Sequence, residues 1–242
     1  MNQSVFTYKE HEIISTLQKE EAIKLFDSLV EKRYTITDNF KDGPKCLVQK
    51  VKIDGFEEMV FKIPRSRSRR TWERMLTLFR ESEAFRNHES MLILQTLGLK
   101  GATPILAAQK RFRGVVLESF FTYSFVEGEA PKDEETPKVL EAMKTLHDQG
   151  YTRSDPKLQN FIMHEGEVCF IDFRLKKPLL FSKMERTLNL CKFFQTLSND
   201  RQYMEANQKN SLLFKAMYRW HKVLMFWRRT RQKIKKCIRK SL

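Results

Sequence analysis

The sequence has few of the features that mark secreted, membrane-spanning or zinc-binding proteins. Its four cysteines are scattered without C-x-x-C spacing, and its five histidines show no metal-ligand spacing, so no zinc site is expected. Residues 1–15 lack the apolar run that a signal peptide needs, and no stretch of about 18 apolar residues occurs anywhere. We therefore expect a protein of the reducing cytoplasm that does not cross a membrane.

Acidic residues are in short supply relative to basic ones. The chain has 45 Lys and Arg against 30 Asp and Glu, a net charge of +15. Residues 206–242 contain twelve basic residues and no acidic ones, and a second cluster comprises Arg65, Arg67, Arg69, Arg70 and Arg74. Such an excess implies a polyanionic partner: nucleic acid, an anionic lipid surface or a phosphorylated substrate. With 242 residues, 41% of them hydrophobic, the chain can still bury a proper core.

The first half of the chain predicts a small sheet with helices around it. Apolar spacing indicates an amphipathic helix over about 19–33. Three strand-like runs separated by Gly, Asp and Pro turns follow, and two more lie around 104–112 and 115–126. Between these groups, apolar recurrence from Trp72 to Leu97 predicts one long helix, or two in sequence, ending at Gly98. We expect five strands, mostly antiparallel, in a unit spanning 1–127.

The second half predicts a smaller, mainly helical unit over 128–205, followed by a tail over 206–242. A helix is expected to end at Gly150, a loop follows, and residues 160–173 predict a hairpin. The fold class is therefore α+β.

One segment of the sequence carries the chemistry. Arg153-Ser154-Asp155-Pro156-Lys157-Leu158-Gln159-Asn160 is followed twelve residues after Asn160 by Asp172-Phe173. This pattern resembles the catalytic loop and metal-binding segment of kinases, D-x-K-x-x-N and then D-F. The resemblance implies that Asp155 orients or deprotonates the acceptor hydroxyl and that Lys157 lies near the transferred phosphate. It also implies that Asn160 and Asp172 hold Mg²⁺, a cation that prefers oxygen ligands.

The kinase pattern also assigns the nucleotide site. Lys62, in Val-Phe-Lys-Ile, matches the strand lysine that contacts the phosphates of ATP. Its expected partner is a glutamate on the long helix, for which we select Glu89, with Glu81 and Glu83 as competitors. The glycine-rich loop is reduced to a single glycine, Gly43.

Departures from the protein-kinase pattern indicate the substrate class. The usual H-R-D reads R-S-D, D-F-G reads D-F-R, and no A-P-E follows. Only about 33 residues separate Asp172 from the basic tail, too few for a long activation segment and a full helical lobe. A constitutive small-molecule or glycan kinase fits these features better than a regulated protein kinase.

The chain resembles the lipopolysaccharide core heptose(II) kinase family from about Tyr34 to the basic tail. The marks are V-F-K at 60–62, E-G at 127–128, L-H at 146–147, S-D-P at 154–156, N-F-I at 160–162 and I-D at 171–172. Lys157 stands where the family commonly has His. The resemblance implies a minimal two-lobe protein-kinase-like fold, a monomer, and transfer of the ATP γ-phosphate to a heptose hydroxyl of the lipopolysaccharide core. It further implies a peripheral position on the inner face of a Gram-negative cytoplasmic membrane.

The basic tail favours that position. Leu213, Met217, Trp220, Leu224, Trp227, Ile234 and Ile238 fall on one helical stripe, with lysines and arginines on another face. This pattern is typical of an interfacial helix that binds an anionic leaflet. Alternatively, Trp220 and Trp227 pack on the C-terminal lobe and only the last ten residues are a solvated charged end.

Two rival functions share parts of the pattern. A RIO-like or other atypical protein serine kinase would use the same Asp155, Asn160 and Asp172 on a different acceptor. A nucleic-acid-binding or scaffold pseudokinase would use the basic tail, in which aromatic and basic residues interleave. Because no RNA-binding motif is present, we do not expect a nucleic acid partner.

Overall fold

A computed structural model describes residues 3–65, 75–172, 174–178, 180–197, 200–205, 208 and 210–240. At 200, 201, 229 and 232–240 only the backbone is described. The chain forms two compact units. The N-terminal unit comprises Met1–Glu127 and Cys169–Arg174, and the C-terminal unit comprises Gly128–Val168 and Leu175–Leu242.

The N-terminal unit is built on an antiparallel sheet of seven strands. In chain order the strands are β1 (Ser4–Tyr8), β2 (His11–Ser15), β3 (Thr35–Asp42), β4 (Cys46–Lys52), β5 (Met59–Pro64), β6 (Pro104–Phe112) and β7 (Val115–Ser124). Their order across the sheet is β1-β2-β6-β7-β5-β4-β3. Every neighbouring pair is antiparallel. The predicted five strands are all present, but the expected total of five is wrong.

The two missed strands form a hairpin at the beginning of the chain. Its turn residues, Lys9 and Glu10, both have positive φ, at 44° and 63°. Two-residue hairpin turns of this kind usually carry Asn or Gly, for which positive φ costs little. Because the sequence offers neither, no turn signal marked the hairpin. β2 pairs with β6 and extends the sheet on that side.

The core of this unit lies between the sheet and helix α1 (Lys19–Val30). The buried face of α1 consists of Ala22, Leu25, Phe26 and Leu29, at helical spacing. Phe26 packs 5.7 Å from the ring centroid of Phe120 on β7. The predicted helix over 19–33 is thus confirmed, ending slightly earlier.

The region 72–97, predicted as one long helix or two in sequence, is not one continuous helix in its described part. Leu76–Leu78 form a 3₁₀ turn, and the α-helix α2 spans only Glu83–Thr96. Ser82 begins α2, because its side chain accepts a hydrogen bond from the backbone N–H of Phe85 at 3.2 Å. Residues 72–74 lie outside the described part of the chain. The apolar periodicity continues across Ser82, so it could not show that an α-helix begins at this serine cap.

The C-terminal unit contains most of the helices. Its elements are α3 (Thr136–Asp148), α4 (Ser182–Phe194), α5 (Asp200–Tyr203) and α6 (Leu212–Lys240), with short strands β8 (Thr152–Arg153) and β11 (Leu175–Lys176). β9 (Phe161–His164) and β10 (Glu167–Phe170) form the predicted hairpin, and the chain passes between the two units within β10. The α+β class, with an antiparallel sheet first and helices toward the C-terminus, is confirmed.

Helix α6 packs on α4 through its first half. Phe214 is buried and lies 6.0 Å from the ring of Phe194, and the side chain of Gln195 donates to the carbonyl of Tyr218 at 3.0 Å. Trp220 and Trp227 are 63% and 69% exposed, so the alternative in which both pack on the C-terminal lobe is wrong. Of the helices described, none is both long and apolar enough to span a membrane.

Candidate active site

The predicted nucleotide lysine lies on a central strand of the N-terminal unit. Strand β5 is flanked by β4 and β7, where Lys62 pairs with Val48 and Phe121. Its side chain is 8% exposed, and its ammonium group donates a hydrogen bond to the carboxylate of Asp172, with which it forms an ion pair. The structure therefore brings together two of the residues that the kinase resemblance assigned to phosphate and metal binding.

The charge of Lys62 is stabilised in this environment. Burial by itself lowers the pKa of Lys62, since removing an ammonium from water disfavours its charged form. The negative charge of Asp172, with smaller contributions from Tyr123 and Glu83, outweighs that effect and raises the pKa above its usual value. Lys62 is thus cationic throughout the physiological pH range and suited to binding a phosphate oxygen.

Asp172 combines its ion pair with access to solvent. Its side chain is 56% exposed, although its partner Lys62 is buried. Its backbone adopts a left-handed conformation, with φ of 43°, which a short polar side chain tolerates better than most residues do. The carboxylate can therefore keep its bond to Lys62 and still offer an oxygen to a ligand from the open side.

The choice of Glu89 as the partner of Lys62 is wrong. Glu89 is exposed on α2, whereas the helix buries Ala84, Asn87, His88, Met91 and Leu94. Phe85, Leu92 and Ile93, the apolar residues that led to the choice of Glu89, are only half-buried, so they do not mark the most buried face of α2. Among the described residues Lys62 pairs with Asp172, and Glu83 is the α2 carboxylate whose charge acts on it.

Gly43 lies in the turn between β3 and β4. Its carbonyl accepts a hydrogen bond from Arg65 at 3.2 Å, and the same guanidinium nitrogen binds the carboxylate of Asp42 at 2.6 Å. A Cβ added at Gly43 would have no atom within 4 Å. The fold thus does not require glycine here, and a contact with nucleotide stays a prediction.

The predicted catalytic loop lies in the C-terminal unit, between β8 and β9. The Lys157 ammonium is 2.9 Å from a carboxylate oxygen of Asp155, and both side chains are about half exposed. Asn160 ends a 3₁₀ turn, and its side-chain amide donates to the carbonyl of Asp155 at 2.9 Å. The loop thus holds Asp155, Lys157 and Asn160 together with polar atoms open to a substrate.

A buried polar network stands behind this loop. Asn189 of α4 donates to the carbonyl of Arg153 at 2.6 Å and accepts from the ring of His147 at 3.1 Å. Arg153, 1% exposed, donates to the carbonyl of Asn160 at 3.3 Å, and its guanidinium lies 4.3 Å from the centroid of Phe161. Burial lowers the pKa of His147, which is consistent with the structural role predicted for it. These contacts fix the backbone that carries Asp155 and Asn160.

Sequence reasoning missed Arg153 and Asn189 as positioning residues. Arg153 was noted only as the residue that replaces His in H-R-D, and Asn189 lies in a helix that carried no motif. A buried arginine between Thr152 and Ser154 gives no local signal, because its partners lie 7 and 36 residues further along the chain.

A cavity of about 1000 Å³ opens beside the catalytic loop within the C-terminal unit. Asp155 and Lys157 line one side, and α4 and α6 supply the other. The α4 and α6 side chains include the cations Lys192, Lys222 and Arg228, together with Gln195, His221, Met225 and Phe226. Burial, followed by the nearby Lys176, lowers the pKa of Lys192. The cavity combines positive charge with apolar surface. The contribution of α6 to this cavity was not predicted from the sequence.

The donor set suits a hard cation better than a softer metal. Among the described residues no group of three or more His, Cys, Asp or Glu side chains is arranged to hold an ion. Asp172 offers an exposed carboxylate, and Asn160 uses its amide nitrogen on Asp155, which leaves its side-chain oxygen as a donor. Mg²⁺ commonly takes one or two protein oxygens and completes its shell with phosphate and water. Asp172 in the N-terminal unit and Asn160 in the C-terminal unit thus each present an oxygen of the kind that Mg²⁺ prefers.

Comparisons with known proteins give no family match and only solved structures of low sequence identity. No protein-family model matches the chain, and no curated protein matches it. One similar solved structure is WaaP in complex with acyl carrier protein, at 13% identity over 90% of this chain and 98% of that chain, with a TM-score of 0.48. Another is the kinase domain of M. tuberculosis PknI, at 15% identity over 58% of this chain and 57% of that chain, with a TM-score of 0.36. At these identities and TM-scores neither likeness assigns a reaction to this chain.

Proposed function

We propose that this chain is an ATP-dependent phosphotransferase that acts on a hydroxyl of a lipopolysaccharide inner-core heptose at the cytoplasmic membrane face. The observation that carries the proposal is the pair formed by buried Lys62 and exposed Asp172. A buried lysine is costly unless an anion compensates it. The kinase resemblance had assigned both residues to nucleotide chemistry, Lys62 through Val-Phe-Lys-Ile and Asp172 through D-F.

The residues divide the work of phosphoryl transfer between them. Lys62 would bind phosphate oxygens of ATP, and Asp172 and Asn160 would hold Mg²⁺, which neutralises the developing phosphate charge when bound. Asp155 would orient the acceptor hydroxyl and take its proton. Lys157, whose ammonium lies 2.9 Å from the Asp155 carboxylate, would approach the transferred group.

The cavity beside Asp155 supports an anionic, partly apolar acceptor. Lys192, Lys222 and Arg228 supply positive charge on the side of the cavity that α4 and α6 form. Phosphate or carboxylate groups on a core glycolipid would satisfy these cations. Met225 and Phe226 give the same cavity an apolar side.

A variant of Asp155 tests the reaction. Purified protein is incubated with Mg-ATP and either heptose-containing core glycolipid or acidic and basic proteins. Asp155→Asn should lower phosphate transfer to the glycolipid by about 10²- to 10⁴-fold, the range usual for loss of an acid–base group. The matched control, Asp148→Asn, changes an exposed carboxylate at the end of α3 and should keep full activity.

The acceptors separate the proposal from its rivals. Transfer of phosphate only to protein would show that the chain is a protein serine kinase and that the glycolipid is not its acceptor. If no acceptor is phosphorylated and the chain does not bind ATP, the result would favour a scaffold protein without kinase activity.

The exposed face of α6 supports placement at a membrane. Phe214, Tyr218, His221 and Met225 form the stripe directed toward α4, and the exposed apolar residues occupy the opposite side of the helix. These exposed residues include Trp220, Val223, Leu224 and Trp227. Tryptophans beside basic residues favour the interface of an anionic leaflet, where each cation adds about 1 kcal/mol.

Vesicle sedimentation tests this placement. The full chain should sediment with vesicles containing phosphatidylglycerol and remain in solution with phosphatidylcholine alone. Replacing both Trp220 and Trp227 by alanine should release it, whereas Leu212→Ala, at an exposed position before the aromatic region, should not. Undiminished binding of the double variant would show that α6 does not anchor the protein.

A further inference from the structure

The N-terminal unit contains a second cavity, of about 360 Å³, with an unusual concentration of arginines. They come from separate parts of the chain: after β5, before and within α2, and after β10. The four are Arg65, Arg80, Arg86 and Arg174.

Among the residues that the structure describes, one of these arginines has a carboxylate partner. Arg65 is paired with Asp42 at 2.6 Å. Within the described part of the chain, no carboxylate lies within ion-pair distance of Arg80, Arg86 or Arg174. Arg86 instead donates from Nε to the carbonyl of Ser82 at 3.2 Å, a contact that leaves its terminal nitrogens available.

The positive charges repel one another at this site. Burial, and then the charges of Arg174 and Arg80, lower the pKa of Arg86 to about 10. Two carboxylates also line the cavity, Glu83 and Glu118. Glu118 lies 3.3 Å from the imidazole of His11, and Glu83 acts on Lys62 as well as on Arg86. The carboxylates present thus only partly offset the arginines.

We propose that this cavity binds the phosphate group of a ligand, separately from the phosphates held by Lys62. Guanidinium groups bind phosphate through paired N–H donors, and a doubly charged anion would relieve the repulsion among the three arginines. Ser119 is buried on the cavity wall and adds a hydroxyl suited to a phosphate oxygen. The cavity volume accommodates a phosphate or a pyrophosphate group.

Calorimetric titration of the full chain with inorganic phosphate and with pyrophosphate at low ionic strength tests the site. Arg86→Gln and Arg174→Gln should each weaken binding by about tenfold or more, because each removes charge-assisted hydrogen bonds. Arg174 makes no side-chain hydrogen bond or ion pair to another described residue, so Arg174→Gln reports on binding even if the Arg86 variant folds poorly. Arg113→Gln, at the exposed turn between β6 and β7, is the matched control and should bind like the parent chain.

Two results would overturn the proposal. The first is that the parent chain binds neither anion at millimolar concentration, or that the control Arg113→Gln weakens binding as much as Arg86→Gln and Arg174→Gln do. The second comes from repeating the titration with a saturating non-hydrolysable ATP analogue. Unchanged phosphate affinity supports a separate site, whereas its loss would assign the arginines to the phosphates of the nucleotide.

Discussion

Replacement of His88 by leucine tests how firmly α2 is built into the N-terminal unit. His88 has no exposed surface, and among the described residues neither ring nitrogen has a hydrogen-bond partner. Burial lowers the pKa of His88 to about 4, from 6.5 for a free histidine. The folded protein therefore keeps this ring neutral at pH values where the unfolded chain already binds a proton.

The sign and size of the effect follow from that difference in proton binding. As the pH falls below 6.5, the unfolded state takes up the proton first, so the free energy of unfolding decreases until the folded ring also titrates near pH 4. The slope is about 1.4 kcal/mol per pH unit, which gives a loss of roughly 3 kcal/mol over this interval. Leucine, of similar size and without a titratable group, should remove this loss.

Urea unfolding followed by circular dichroism at about pH 7 and about pH 4 measures the difference. The parent chain should lose roughly 3 kcal/mol more than His88→Leu between the two pH values, beyond the loss that both share from their carboxylates. His164→Gln, at an exposed position at the end of β9, serves as the control and should behave like the parent chain. Equal losses in the parent chain and His88→Leu would show that His88 titrates normally and is not sealed in the core.

Two further substitutions test the support of the catalytic loop. Asn189→Ala should destabilise the C-terminal unit by about 2–4 kcal/mol in urea unfolding, because it leaves the buried ring of His147 and the carbonyl of Arg153 without hydrogen-bond partners. A loss below about 0.5 kcal/mol would mean that water replaces these hydrogen bonds. Gly128→Ala should lower the melting temperature markedly, since the φ angle of Gly128 is 146° and an added Cβ would lie 2.2 Å from the carbonyl oxygen of Met163. An unchanged melting temperature would show that the backbone around Gly128 shifts at no energetic cost.

Regular elements with strong local signals were predictable from the sequence. Helix α1 has apolar residues at every turn of one face, and the β9–β10 hairpin is marked by the Glu165-Gly166 turn. The β1–β2 hairpin has an equally good alternation, but its turn residues Lys9 and Glu10 need positive φ without the usual glycine or asparagine. Tertiary pairing of β2 with β6 compensates that cost, and such pairing cannot be read locally.

The chemistry of the site was determined by spacing along the chain. Asp155, Lys157, Asn160, Lys62 and Asp172 were selected from the order of motif residues, because phosphoryl transfer requires the same donors whatever surrounds them. Their assigned roles await the transfer assay. That Lys62 carries a buried ion pair with Asp172, 110 residues away, is a result of the structure.

The environment of those residues was decided by tertiary structure. The sequence by itself determined the α+β class, the position of the catalytic loop and the excess of positive charge. It could not determine that Glu83, and not Glu89, acts on Lys62, because which face of α2 is buried depends on its packing against the rest of the unit. Nor could it show which arginines gather in one cavity, since each comes from a different element. Local preferences are encoded within a few residues, whereas burial and charge proximity depend on distant segments meeting in the fold.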